Sequence, residues 1–277
     1  MVASALGRLD NPQLPPVIGH RGAAGRAPEN TLAGLRRAGQ LGCVWVEFDV
    51  RLTADGALVL CHDAHLDRTT DGSGLVAEQS LAAIRRLDAG GRFDRAFVGE
   101  PVPTLDEALA LCAALRLGAN IEIKAAHGRE YASAAAVVAG LRRAAARPPA
   151  VLVSSFLLPA LAALRMLAPE IPRGVLFRHV PRGWRNIARR LGCVSVGASQ
   201  HRLRARRVGE IRAAGYQLTA YTVNHAARAR LLYEWGVTSV FSDVPDIILR
   251  DGVGSAAPHN ATTGTGSPAL AQEGTLQ

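Results

Sequence analysis

Apolar and polar positions alternate with period two at several points along the chain, and between them apolar residues recur at helical spacing. Val44, Val46, Phe48 and Val50 alternate with Trp45, Glu47, Asp49 and Arg51. This predicts a strand over 45–50 whose Glu47 and Asp49 project from one face. Asn120-Ile121-Glu122-Ile123-Lys124 repeats the arrangement. Short apolar runs predict further strands at 17–20, 151–155, 174–177, 194–198, 217–222 and 238–242. Leu32, Leu35 and Leu41 form the stripe of a helix opened by Pro28 to Thr31, with Asn30 or Thr31 as its N-cap. Helices are expected as well over 105–115, 129–145, 157–167, 182–191, 204–214, 225–235 and 245–250. Eight strands, each followed by a helix, within about 240 residues predict an α/β chain folded as a (β/α)8 TIM barrel. A doubly wound open sheet is the alternative, because the count rests on short strands.

The rhythm breaks once. Ala54-Asp55-Gly56 is a turn signal, and Leu58 to Leu60 runs back to deliver His62-Asp63. Residues 64–100 then carry a Gly72-Ser73-Gly74 turn, one helix expected over Leu81 to Leu87, and Gly90-Gly91. They form a small insertion after the second strand, above the barrel rim. The barrel is expected over 15–251, with 1–14 loosely ordered. Residues 252–277 are rich in Gly, Ala, Thr and Ser with one charge, Glu273. Such a composition buries too little apolar surface to offset its ordering entropy, so a disordered tail is expected.

Composition narrows the class. Of 277 residues, 48% are hydrophobic, enough for a sizeable core. No apolar run reaches membrane-span length, and residues 1–13 lack the apolar segment of a signal peptide. A cytoplasmic protein is expected. Cys43, Cys61, Cys112 and Cys193 are far apart with no C-x-x-C pairing, which predicts free thiols. The net charge of +9 attracts anions of any kind. Its densest patches, 178–190 and 202–207, have only Trp184 among them and no nucleic-acid-binding signature. They are expected to be solvated helix faces, with no nucleic-acid partner. Peripheral contact with an anionic membrane stays open, as does the oligomeric state.

In a (β/α)8 barrel the active site lies at the C-terminal ends of the strands. His20 ends the first, Glu47 and Asp49 lie on the second, His62 returns from the hairpin, and Glu122 and Lys124 end the third. All six therefore reach one mouth. Two acids on a strand face are often an ordinary solvated pair, but a third on a second polar strand favours a cation. Glu47, Asp49 and Glu122 form an all-oxygen donor set without thiolate, which suits Mg2+ or Ca2+. Gly19, Gly22 and Gly25 lack the dinucleotide-binding spacing and predict a tight loop offering backbone N–H groups to a ligand. Arg21 suits a planar grip on phosphate oxygens, or a salt bridge to Glu29. Lys124 serves a non-bridging oxygen or holds Glu122, and Asp63 orients its loop or a histidine. Ser242 to Asp246 has the form of an Asp-capped helix start.

His20-Arg21-Gly22, Pro28-Glu29-Asn30-Thr31, Glu47-x-Asp49, His62-Asp63 and Glu122-x-Lys124 stand in order at compatible spacing. From about residue 15 to 250 the chain resembles the glycerophosphodiester phosphodiesterases, and Ser242 to Asp246 matches their last strand. The resemblance implies metal-dependent hydrolysis of small-molecule glycerophosphodiesters to sn-glycerol 3-phosphate and an alcohol. It implies Glu47, Asp49 and Glu122 as metal ligands and His20 and His62 as a general acid–base pair. We take His20 as base and His62 as acid; the residues leave the reverse open. They also leave open whether water attacks, or the substrate's own 2-hydroxyl through a cyclic phosphate. Phe156 and Tyr221, at the ends of the fourth and seventh strands, would pack on the alcohol. The family commonly has Trp where Tyr221 stands, which bears on head-group preference. The alternatives are phospholipase D-like hydrolysis of lysophospholipids and a non-catalytic anion-binding barrel. Few apolar residues of the insertion are free to line an acyl groove, so small soluble diesters are the expected substrates.

Overall fold

The computed structural model describes residues 11–144 and 149–251. The chain opens with β1 (Val17–Gly19), α1 (Leu32–Gln40), β2 (Trp45–Leu52) and β3 (Leu58–Leu60), followed by α2 (Leu81–Ile84) in the insertion. It continues through α3 (Leu105–Ala114), β4 (Gly118–Ile123), α4 (Glu130–Arg143), β5 (Val151–Ser155), α5 (Leu158–Leu167) and β6 (Arg173–Phe177). It ends with α6 (Trp184–Leu191), β7 (Ser195–Ser199), α7 (Ala205–Ala213), β8 (Gln217–Tyr221), α8 (Ala226–Glu234), β9 (Ser239–Ser242) and α9 (Pro245–Arg250). The parallel strands run β1-β9-β8-β7-β6-β5-β4-β2, and β1 closes on β2 where Gly19 pairs with Val46. Closure makes the sheet a (β/α)8 barrel and excludes the open doubly wound sheet. β1 is short, so the outer half of β2 has a free edge there, which β3 takes antiparallel through Val50↔Leu60.

The alternation in β2 separates two buried faces, not a buried face from a wet one. Val46, Phe48 and Val50 join Ala119 and Ile121 in a core with Leu35, Leu105 and Leu109 of the helices. A second core lies between β6–β9 and α6–α9. On the inward faces, Ile18, Trp45, Leu152 and Phe241 cluster with Leu14 and fill the interior, as the narrow lumen of eight strands requires. Gly118 admits the Trp45 ring, since a Cβ there would lie 2.1 Å from it. Val44 precedes the strand and is exposed.

The expected helix over Leu81 to Leu87 stops at Ile84. Ser80 caps it, and the Arg86 and Leu87 amides reach back three residues, which tightens the chain into a turn. The insertion has its own small core of Leu66, Val76, Ile84 and Ala89 against Val59 and Cys61, with Leu81 and Leu87 packed on it. Of the segment expected to be loose, residues 1–10 lie outside the described residues. Residues 11–14 are tied down: Leu14 is buried and its N–H donates to Gln217 Oε1 at 2.9 Å. Gln217 Nε2 donates in turn to the Pro12 carbonyl at 2.8 Å. The expected disordered tail, 252–277, also lies outside the described residues. The four cysteines are free and buried, and burial pushes the Cys61 thiol up to about 11. No helix among the described residues is long and apolar enough to cross a membrane.

Candidate active site

The loop after β1 is shaped by one close approach. Gly22 has φ +86°, and a Cβ on it would lie 2.5 Å from the Gly34 carbonyl carbon in α1. Only glycine fits there. The loop amides are not offered to a ligand, contrary to the expectation. Gly22 N–H donates to the Glu47 carbonyl and Gly25 N–H to the Asp243 carbonyl, at 3.1 and 2.8 Å. Arg21 N–H donates to Glu47 Oε2 at 3.0 Å and so fixes that carboxylate. Thr31 is the cap of α1, accepting from Gly34 N–H at 3.0 Å. Asn30 instead sits at φ +55°, a region asparagine tolerates, and its side-chain amide clamps Asp49. Asn30 Nδ2 donates to Asp49 Oδ2 at 2.9 Å while Asn30 Oδ1 accepts from Asp49 N–H at 3.0 Å.

Strand register assembles the acids. β2 and β4 pair so that Asp49 lies beside Glu122 and Glu47 beside Asn120. Glu47, Asp49 and Glu122 bring one oxygen each within 4.8 Å of one another, all buried. Burial first, then the neighbouring carboxylates, push Glu47 well above the usual carboxyl range and Glu122 up to about 7. Burial acts on Asp49 too, but Lys124 and Arg21 outweigh it and hold Asp49 below its usual value. Lys124 Nζ stands 2.5 Å from Glu122 and 3.3 Å from Asp49, and its side chain lines the cleft as well. Glu47 Oε1 is buried without a hydrogen-bond partner. An orphaned carboxylate oxygen within a buried trio of converging acids fits a hard divalent cation.

Both histidines are oriented alike. His20 Nδ1 meets Asp243 Oδ1 at 2.6 Å, and His62 Nδ1 meets Asp63 Oδ1 at 2.6 Å. A carboxylate only accepts, so each Nδ1 carries the proton and each Nε2 is left for chemistry. His20 Nε2 lies 3.9 Å from Glu47 Oε2. Burial lowers the His62 pKa from its ordinary value. Asp243 is braced by Asn224, which donates to its Oδ2 at 2.8 Å and accepts from its N–H at 2.9 Å. It therefore serves His20 and not the helix: α9 begins after Val244, without a side-chain cap. Arg21 Nη1 donates to Glu29 at 2.8 Å, while its Nε is buried without a partner 3.5 Å from Asp49. Arg51 donates to the His62 and Lys124 carbonyls and ties the hairpin end to β4.

These groups surround a cleft of about 530 Å³. His20, Arg21, Glu47, His62, Glu122, Lys124, Phe156 and Tyr221 line it, and Asp49 is held beneath them by Asn30. Phe156 and Tyr221 meet edge to face at 5.7 Å, and the Tyr221 hydroxyl donates to the Phe177 carbonyl at 2.7 Å. Asn224, Arg51 and Arg68 carry no site signal in the sequence, and Asp243 is marked there only within Ser242 to Asp246. Arg178 belongs to the basic stretch 178–190, yet it directly follows β6 and lines the cleft. Its place at a strand's C-terminal end was the available signal.

Residues 20–247 match the model of the glycerophosphoryl diester phosphodiesterase family. The chain is similar to a glycerophosphodiester phosphodiesterase of Bacillus subtilis, 32% identical over 88% of this chain and 89% of that protein. One from Caldanaerobacter subterraneus is 32% identical over 84% and 96%. Among solved structures, a phosphodiesterase of Oleispira antarctica in complex with the product sn-glycerol-3-phosphate superposes with a TM-score of 0.83. It is 41% identical, covering 86% of this chain and 96% of that one.

Proposed function

Because the chain belongs to the glycerophosphoryl diester phosphodiesterase family, we propose that it hydrolyses small soluble glycerophosphodiesters to sn-glycerol 3-phosphate and an alcohol. The observation that carries this reading is the pair of carboxylate-oriented histidines lining one cleft with three convergent acids. Glu47, Asp49 and Glu122 would hold Mg2+ or Ca2+, and when bound such a cation polarises a phosphoryl oxygen. Arg21, which lines the cleft and is braced by Glu29, grips a non-bridging oxygen. His20 Nε2 takes the proton from the attacking hydroxyl, either water or the substrate's 2-hydroxyl, in which case a water then opens the cyclic phosphate to sn-glycerol 3-phosphate. His62 Nε2 gives one to the leaving alkoxide. Burial lowers the His62 pKa in the free enzyme. The phosphodiester's negative charge favours its imidazolium once substrate is bound. Isolation of a cyclic phosphate would assign the nucleophile.

Size supports small substrates. The cleft suits a compact diester, whose alcohol lies against Phe156 and Tyr221. Leu66, Val76 and Ile84 of the insertion are spent on its own core, with Leu81 and Leu87 packed against them. A long acyl chain needs a continuous apolar track, because each buried methylene contributes only about 0.8 kcal/mol. Four buried free thiols suit a reducing compartment, and the cytoplasm is our reading. The test compares glycerophosphocholine with lysophosphatidylcholine, with and without divalent cation. A higher kcat/KM for glycerophosphocholine is expected. A clear preference for the acylated substrate would replace this reading with a phospholipase D-like one.

A further inference from the structure

The insertion sends one side chain back toward the reacting groups. Arg68 is about half exposed, and its guanidinium bonds two carboxylates from separate parts of the chain. Nε donates to Asp63 Oδ2 at 2.5 Å, and Nη1 and Nη2 donate to Glu29 Oε2 and Oε1 at 2.7 and 2.8 Å. A group of the cleft lies beyond each carboxylate. Asp63 Oδ1 holds His62 Nδ1 at 2.6 Å, and Glu29 Oε1 accepts from Arg21 Nη1 at 2.8 Å. The result is one unbroken series: His62, Asp63, Arg68, Glu29, Arg21. Its two ends line the cleft, whereas Arg68 lines a separate pocket of about 160 Å³ beside Phe93 and Arg92.

We infer that Arg68 is a positioning residue for the reaction proposed above, on which this inference rests. It holds the proton-transfer edge of His62 and the phosphate-binding edge of Arg21 in one fixed relation, through Asp63 and Glu29, without touching substrate. Asp63 is one-third exposed, so without Arg68 water competes for its second oxygen and its carboxylate is free to turn. The hydrogen bond from Arg68 is also the largest influence holding the Asp63 carboxyl far below its ordinary range. A lysine would not replace it. The two carboxylates approach different edges of a planar fork, and an ammonium is a single point. Partly exposed ion pairs add little to folding stability, so the loss should fall on turnover.

The experiment uses the full chain with Arg68→Met and Arg68→Lys. With glycerophosphocholine and the cation that supports wild-type turnover, kcat should fall about ten- to a hundredfold in Arg68→Met, with KM changed less than about threefold. That is the range for outer partners that orient a reactive group. Arg68→Lys should recover only part of the loss. Histidine-ring 15N–1H NMR supplies a readout independent of turnover. The hydrogen-bonded Nδ1 proton of His62 should broaden or shift in both variants, while that of His20, held separately by Asp243, should not. An unchanged His62 signal, a kcat within about threefold of wild type in Arg68→Met, or full activity in Arg68→Lys would overturn the inference. If wild type hydrolyses no diester, the functional reading fails, and the NMR comparison still decides the bridge.

Discussion

Glu122→Gln probes the acid cluster most directly. In the cation-free protein, burial and Asp49 raise the Glu122 carboxyl from 4.5 to about 7. At about 1.4 kcal/mol for each pH unit, ionising Glu122 in the folded state costs roughly 3 kcal/mol more than in the unfolded chain. A carboxyl raised by folding contributes its stability below about pH 4.5, and that contribution is lost as pH rises through 7. Glutamine does not titrate, and Lys124, 3.3 Å from Asp49 in the native protein, remains to balance that carboxylate. In chelator, wild type should therefore lose roughly 3 kcal/mol relative to Glu122→Gln between pH 4.5 and 8. For a chain of this size that is on the order of 6–12 °C in Tm. Adding Mg2+ or Ca2+ at about a hundred times Kd should return roughly 2.7 kcal/mol to wild type and far less to the variant. Thermal melts across pH, in EDTA and then in excess cation, measure both effects. A difference between the two proteins that stays flat from pH 4.5 to 8, or a cation shift equal in both, would refute the reasoning.

Three further outcomes are expected. His20→Ala and His62→Ala should each lose about a hundredfold or more in turnover while keeping the wild-type circular dichroism spectrum, since neither belongs to an apolar core; activity within a few-fold of wild type would end either candidacy. Asp243→Asn should lower kcat about ten- to a hundredfold by releasing His20 from its tautomer, with Tm nearly unchanged, and an unaltered pH–rate profile would count against that. Gly22→Ala should destabilise by about 2–4 kcal/mol in denaturant titration, through positive φ and contact with the Gly34 backbone; unchanged stability would mean that this approach is looser than the structure has it.

The barrel was legible because strand and helix periods differ and the chain alternates them. Most strand ends fell within one or two residues of those expected. The helix at Leu81 is shorter than its pattern, because apolar spacing continues past Ile84 whereas the backbone has already tightened there. Asn30 and Thr31 were equal as caps by residue type. The positive φ of Asn30 and its clamp on Asp49 separated them.

By itself, the sequence determined which side chains share a strand face and which strand ends carry acids, histidines and cations. Both follow from local covalent periodicity, so Glu47 beside Asp49 and Glu122 beside Lys124 needed no fold to be seen. Tertiary structure decided what each of those groups touches. It buried both faces of β2, because closing eight strands leaves no wet side. It spent the loop amides of Gly22 and Gly25 on neighbouring carbonyls. It brought Asp243 to His20 across 223 residues of chain and Arg68 to Glu29 across 39. Pairings at such separations depend on how strands are ordered round the barrel and where the insertion folds back, and no local period encodes them.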